Sequence, residues 1–170
     1  MSFILKPVDT VESISREDFK KNYLIPRKPL IIKGLTKDWP AREKWTTDYF
    51  KQIAGNIEVD LVDNSKADPN KVINAKIARM KFGEYLDLIK REPTDLRIFF
   101  LNLFKHSPDL LNDIKVPKEL MGGFIESMPA MFFGGTKAIT FLHYDIDLPH
   151  LFHTHFGGRK HIILFDNKWK

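Results

Sequence analysis

Apolar residues recur along this chain at two periods, first helical and then strand-like. Ser15-Arg16-Glu17-Asp18-Phe19 sets a hydroxyl residue three positions ahead of an acidic one. That is a helix start, with Ser15 as N-cap and Asp18 at the third helical position. Pro26 and Pro29 end the element, because proline offers no N–H to a helical ladder. Leu30 to Lys33 reads as a short buried strand. Thr46 or Thr47 caps a helix running to about Ala54, and Gly55 stops it. Ile57 to Val62 alternates as a strand. Residues 63–75 form a polar loop rich in Asp, Asn and Lys, expected to be mobile. Lys81 to Arg91 places Phe82, Tyr85, Leu86 and Ile89 on one helical face. Leu96 to Leu103 reads as a strand. Ser107-Pro108-Asp109 opens a short helix with proline at its favoured first position, and Val116-Pro117 to Met121 holds a further turn. Strands are then expected at Ala130–Phe133, Ala138–His143, Leu151–Phe156 and Lys160–Phe165, the last two joined through Gly157-Gly158 as a hairpin. Helices lead and strands follow, which is the α+β class.

Composition narrows the class of protein without naming a function. Of the 170 residues, 43% are hydrophobic and 14 are Phe, enough for a chain of this length to bury about two thirds of its unfolded surface. There is no Cys, so disulfides, thiolate metal sites and cysteine nucleophiles are excluded. The first 25 residues meet Lys6, Asp9, Glu12 and Arg16 early and contain no signal-peptide core. No apolar run approaches the ~20 residues of a membrane span. A cytoplasmic protein that does not enter a membrane is expected. The net charge of +5 comes from 27 Lys+Arg against 22 Asp+Glu. The basic residues are dispersed, and the densest groups, Lys20-Lys21 and Arg27-Lys28, have no interleaved aromatics. A solvated surface is the reading, not a nucleic-acid patch.

The chemistry concentrates at His143-Tyr144-Asp145. On a strand, residues 143 and 145 face one way and Tyr144 the other. An imidazole and a carboxylate on one face are two members of the 2-His-1-carboxylate triad, which binds non-haem Fe(II) and leaves positions open. Lys160 begins the apolar run His161-Ile162-Ile163-Leu164-Phe165. On a neighbouring strand its ammonium would pair with the far carboxylate of an oxo-acid chelating that metal.

Thr140-Phe141-Leu142-His143-Tyr144-Asp145, followed by Phe156-Gly157-Gly158-Arg159-Lys160-His161-Ile162-Ile163-Leu164-Phe165, resembles the jumonji C-like branch of the cupin superfamily. These are Fe(II)- and 2-oxoglutarate-dependent oxygenases, and the pattern is nearest their protein-hydroxylase type. Lys28-Pro29-Leu30-Ile31-Ile32-Lys33-Gly34-Leu35, Asp38-Trp39-Pro40-Ala41 and Lys44-Trp45 look like the opening segment of bacterial members, so the resemblance covers nearly the whole chain. It implies His143 and Asp145 as iron ligands. It also implies Lys160 and Thr140 as partners of the 2-oxoglutarate C5 carboxylate. Two departures stand out. Leu151 occupies the place where the family often has an Asn, and the distal iron-binding His is expected several strands further on, beyond Lys170.

The resemblance implies a single domain over residues 1–170. Residues 1–125 form an N-terminal α+β segment, and 126–170 supply the first strands of the double-stranded β-helix, or jelly roll. An open half-barrel leaves unpaired edges. The closing Asn167-Lys168-Trp169-Lys170 carries no terminating pattern. The chain is therefore expected to be the N-terminal part of a longer polypeptide, inactive as 170 residues alone. A homodimer completing the barrel is the alternative.

The implied function is hydroxylation of a protein side chain or a small molecule. Tyr144, Leu151, His153 and His155 are the candidate pocket-lining residues. Plainer readings stand beside these. His143 is then a core histidine and Lys160 an ordinary hairpin lysine. His153 and His155 are half-exposed on their strand, and His106 and His150 lie at the surface. Trp39 and Trp45 anchor the N-terminal core. Two other functions are carried: a non-catalytic cupin-like binding or scaffolding domain, and a Zn(II) or Ni(II) site made by His143, Asp145 and His153 or His155.

Overall fold

Side-chain caps fix where the helices begin. In a computed structural model, which describes residues 4–63, 65, 68, 76–120, 130–145 and 150–166, the Ser15 hydroxyl accepts from the Asp18 N–H at 3.0 Å. Helix α1 (Arg16–Phe19) follows and continues as a π-helical turn over Lys20–Leu24. The Thr46 hydroxyl accepts from the Tyr49 N–H at 3.1 Å and starts α3 (Thr47–Ala54), preceded by the short α2 (Ala41–Lys44). Gly55 closes α3. Helix α4 (Phe82–Arg91) opens with the Lys81 N–H directed at the Glu84 carboxylate.

The strands form two sheets among the described residues. β1 (Asp9–Val11) and β2 (Leu30–Ile32) pair in parallel, with Thr10 opposite Ile31. β3 (Glu58–Asp63), β4 (Ala78–Lys81), β5 (Leu96–Leu101) and β6 (Met131–Gly134) form an antiparallel sheet in the order β4-β3-β5-β6. Arg97 stands opposite both Val62 and Gly134. A bulge interrupts the β5–β6 register between Ile98 and Leu101, and there Phe100 takes a left-handed φ of 55°.

One face of this sheet is covered by α3 and α4. Val59 and Leu61 alternate inward from β3, and Phe82, Tyr85 and Leu86 fill the layer from α4. Phe133 of β6 meets Phe82 and Phe50 edge-on, with ring centres 4.9 and 5.5 Å apart. The buried Tyr85 hydroxyl lies 3.0 Å from both the Leu96 and Phe133 carbonyls, so one O–H is shared across the β5–β6 seam. Burial pushes the Tyr85 phenol pKa up. Trp45 is buried beside Phe50 and Phe104, and its indole N–H donates to the buried Asp113 carboxylate at 3.0 Å. Lys44 donates to the other oxygen of Asp113, also at 3.0 Å.

The class is α+β, as expected, and no closed barrel is present among the described residues. The strands expected at Ala138–His143, Leu151–Phe156 and Lys160–Phe165 are not formed. Their β-branched and aromatic content suits a pleated surface, but a ladder also needs a neighbouring edge. Among the described residues these segments have none and remain exposed loop. Gly157-Gly158 still turns the chain, with Gly158 at φ 73°. Of the expected polar loop 63–75, only Asp63, Ser65 and Asp68 are described, and Met121 lies outside the described residues. No described helix is long and apolar enough to cross a membrane.

A candidate metal and co-substrate site

The loop that leaves β6 carries Thr140, His143 and Asp145. Its first part is fastened on both sides of one residue, Ile139, to Asp95 just before β5 and to Arg97 within it. The Ile139 N–H donates to Asp95 at 3.1 Å, and the Ile139 carbonyl accepts from the Arg97 guanidinium. A second Arg97 nitrogen donates to the Thr140 hydroxyl oxygen. Arg97 is only 8% exposed. Burial pushes its pKa down, and the Asp95 carboxylate opposes that shift. An arginine keeps its proton under such conditions.

Three residues beyond this clamp, His143 folds back on its own loop. Its Nδ1 lies 2.7 Å from the Phe141 carbonyl. A carbonyl can only accept, so Nδ1 is the donor, and it is Nε2 that offers a lone pair in the neutral ring. That Nε2 stands 3.9 Å from Oδ1 of Asp145. The two side chains therefore approach each other, although the alternation of a strand is not the cause. The Nδ1 contact is the kind of outer bond that sets the tautomer of a metal-binding histidine.

One imidazole nitrogen and one carboxylate suit a hard-to-borderline divalent ion such as Fe(II). Two ligands at ~2.0–2.2 Å from a common ion stand roughly 3 Å apart when adjacent, so the pair would close by about 1 Å to share one. Both side chains are solvent-facing and free to make that adjustment. The donor set is right in kind. Among the described residues no third His, Asp, Glu or Cys completes it. In particular, neither His153 nor His155 joins His143 and Asp145, so the described residues do not form the alternative Zn(II) or Ni(II) site of His143, Asp145 and His153 or His155.

His153 and His155 form a separate group. Their rings stack with centres 6.3 Å apart. Protein atoms packed around the ring, then the Lys160 and His155 charges, push His153 below the usual histidine range, although the residue is largely exposed. Lys160 thus lies within electrostatic reach of His153. His155 lines a cavity of about 290 Å³ with Lys33, Thr36, Arg42, Thr154 and Phe156. Tyr144 and Leu151 are exposed. The loop is held to the N-terminal unit by aromatic contacts. Phe156 packs on Trp45 and Trp39, at 4.7 and 6.3 Å between ring centres, and Phe152 lies 5.8 Å from Phe19.

Arg97 is the site residue that sequence reading missed. The available signal was a lone guanidinium inside the apolar run Leu96-Arg97-Ile98-Phe99-Phe100-Leu101. A charge at an inward strand position is costly unless it has a task or a partner.

Known proteins resemble the chain over most of its length. Lysine-specific demethylase JMJ21 of Arabidopsis thaliana is 28% identical over 168 residues, covering 93% of this chain and 17% of that protein. JmjC domain-containing protein E of Dictyostelium discoideum is 25% identical over 169 residues, 84% of this chain and 48% of its own length. Lysine-specific demethylase JMJ30 of Arabidopsis thaliana is 29% identical over 170 residues, 96% of this chain and 38% of its own length. The chain thus spans less than half of each of these relatives. A family model described as a cupin-like domain matches residues 16–168, a span that takes in the sheet, the Arg97 clamp and the His143–Asp145 pair, and the chain belongs to that cupin-like family.

Proposed function

We propose that this chain carries the metal- and co-substrate-binding part of an Fe(II)- and 2-oxoglutarate-dependent oxygenase. The observation that supports it most is the His143–Asp145 pair, with Nε2 3.9 Å from the carboxylate while Nδ1 is committed to Phe141. His143 and Asp145 would hold the iron. Thr140 and Lys160 would take the far carboxylate of 2-oxoglutarate. The third ligand would come from outside the described residues. When bound, iron and 2-oxoglutarate supply the oxidising power: 2-oxoglutarate, O2 and a substrate C–H give succinate, CO2 and an alcohol. The protein's part is to place the substrate C–H and to exclude water.

The substrate class is a protein side chain. Two relatives are named as lysine-specific demethylases. Hydroxylating an N-methyl carbon produces a hemiaminal that loses formaldehyde, so one oxygenase chemistry serves both hydroxylation and demethylation. A non-catalytic binding domain is the second reading, favoured by the incomplete ligand set among the described residues.

The deciding experiment is an anaerobic titration of Fe(II) into the full-length protein, followed by oxygen and measurement of succinate formed from 2-oxoglutarate. Wild type should form succinate, and His143→Ala and Asp145→Ala should lose the iron and at least about 90% of turnover, since each removes one of three ligands. Iron binding and turnover unchanged in both variants would refute the ligand assignment. No turnover by wild type would favour the binding domain.

A further inference from the structure

We propose that Arg97 is a positioning residue for the co-substrate, holding the Thr140 hydroxyl with its proton turned outward and adding a fixed positive charge beside the carboxylate seat. This rests on the oxygenase reading above and deepens it. The argument begins with what Arg97 does not have. Its guanidinium is more than nine-tenths buried, yet among the described residues the carboxylate that pairs with it stands 3.9 Å away. That carboxylate, Asp95, already accepts the Ile139 N–H. The buried Nε of Arg97 has no hydrogen-bond partner among the described residues. Asp95 pairs with it only loosely and Asp63 acts from further off, and a buried cation so weakly paired is expensive. Its side-chain hydrogen bonds among the described residues are aimed at a single dipeptide, Ile139-Thr140, while the guanidinium also lies 5.8 Å from the Phe99 ring centre.

The consequence for Thr140 is directional. A hydroxyl has one proton and two lone pairs. When Arg97 donates to the oxygen, the proton is left to donate elsewhere, and Thr140 is an exposed residue. Donation by a charged group strengthens that outgoing bond, because linked hydrogen bonds polarise one another. Arg97 and Thr140 therefore act as one anion-seeking unit, buried at one end and open at the other. The ligand that suits it is a carboxylate, and the seat lies three residues before the proposed metal ligand His143.

The test compares two oxo-acids on the Mn(II)-loaded, full-length protein under anaerobic conditions. 2-Oxoglutarate and 2-oxobutyrate share the chelating keto-acid, and only the first has the distal carboxylate. The ratio of their dissociation constants isolates the carboxylate seat from the metal. Arg97→Met should lower the preference for 2-oxoglutarate on the order of tenfold, the scale of one charge-assisted hydrogen bond, with 2-oxobutyrate affinity changed by less than about twofold. Arg97→Lys should restore part of it. Thr140→Val added to Arg97→Met should cost less than it does alone, because the two residues share one hydroxyl.

An unchanged ratio in folded Arg97→Met and Arg97→Lys would overturn the role of Arg97 while leaving the oxygenase reading intact. A wild type that shows no preference for 2-oxoglutarate would overturn the oxygenase reading, and this proposal with it. Arg97→Lys keeps the buried charge and carries the test if Arg97→Met does not fold. On the unaltered protein, the nitrogen-15 resonance of the Arg97 Nε–H should move with 2-oxoglutarate and stay still with 2-oxobutyrate. Identical responses to the two acids would also overturn the proposal.

Discussion

A single hydroxyl joins the two strands that carry the site. The Tyr85 O–H is shared by the Leu96 and Phe133 carbonyls at 3.0 Å each, one from β5 and one from β6. Phenylalanine at 85 would preserve the packing and leave two part-buried acceptors facing a ring edge. Tyr85→Phe should therefore cost about 1–3 kcal/mol. Denaturant melts would show it as a lower midpoint at unchanged slope. Hydrogen exchange at the β5–β6 amides should quicken more than at β3–β4. An exchange pattern that accelerates evenly across the sheet would contradict this local account. Arg97 sits on the same seam, so its hold on Ile139 and Thr140 depends on a β5 that Tyr85 keeps in register.

At the scale of elements, α3 and α4 approach too closely for a side chain between them. The Gly83 N–H donates to the Gly55 carbonyl at 2.9 Å. A Cβ on Gly83 would lie 3.2 Å from that oxygen and 3.3 Å from both Gly55 Cα and Lys51 Cγ. Alanine in place of a helical glycine ordinarily gains roughly 0.5–1 kcal/mol. Here the nearest atoms are backbone, tied by the very hydrogen bond they would have to loosen. Gly83→Ala should lower the thermal midpoint, and a rise would show that the two helices separate at little cost. These helices were legible in the sequence because their signals are local: the Ser15 and Thr46 caps, the Gly55 stop, and the apolar face of Phe82, Tyr85, Leu86 and Ile89. The short β1 and β4 were not legible, since three or four residues carry too little period. Segments 138–143, 151–156 and 160–165 read as strands for the opposite reason. Their composition records a preference for a ladder, and a partner edge is a property of the fold, not of the segment. His143 and Asp145 approach to 3.9 Å, not through the strand alternation expected of them but through a loop and the Phe141 carbonyl. Arg97 escaped notice because its meaning lies in Thr140, 43 residues further along.

For the molecule as a whole, its surface ion pairs set how stability should vary with pH. Hydrogen bonds from Lys28 to Asp9, from Lys90 to Asp48, and from Lys76 and Arg79 to Asp60 hold these carboxyls below their ordinary range. Each binds a proton less readily folded than unfolded. Their stabilisation is therefore complete above the unfolded value of about 4 and is lost as pH falls through the lower folded values. Lys28 and Lys44 are raised by Asp9 and Asp113. Their contribution is present below the unfolded value of about 10.4 and is lost as pH climbs through the folded ones. The thermal midpoint should be flat from about pH 7.5 to 9 and fall on both sides, the acid fall beginning below about pH 6.5, where His153 binds a proton less readily folded than unfolded, and about 1 M salt should shallow the parts set by ion pairs. A midpoint that climbs steadily as the solution is acidified from neutral would be incompatible with these pairs. The aromatic contact between Phe156 and Trp45 has a different consequence. An indole fixed 4.7 Å from another ring in a buried, chiral setting has a near-ultraviolet dichroism that depends on that neighbour. The neighbour belongs to the loop bearing His153 and Lys160, whereas the indole belongs to the helical core. Trp45 is thus a built-in optical reporter, able to signal whether that loop is seated while the core beneath it stays folded.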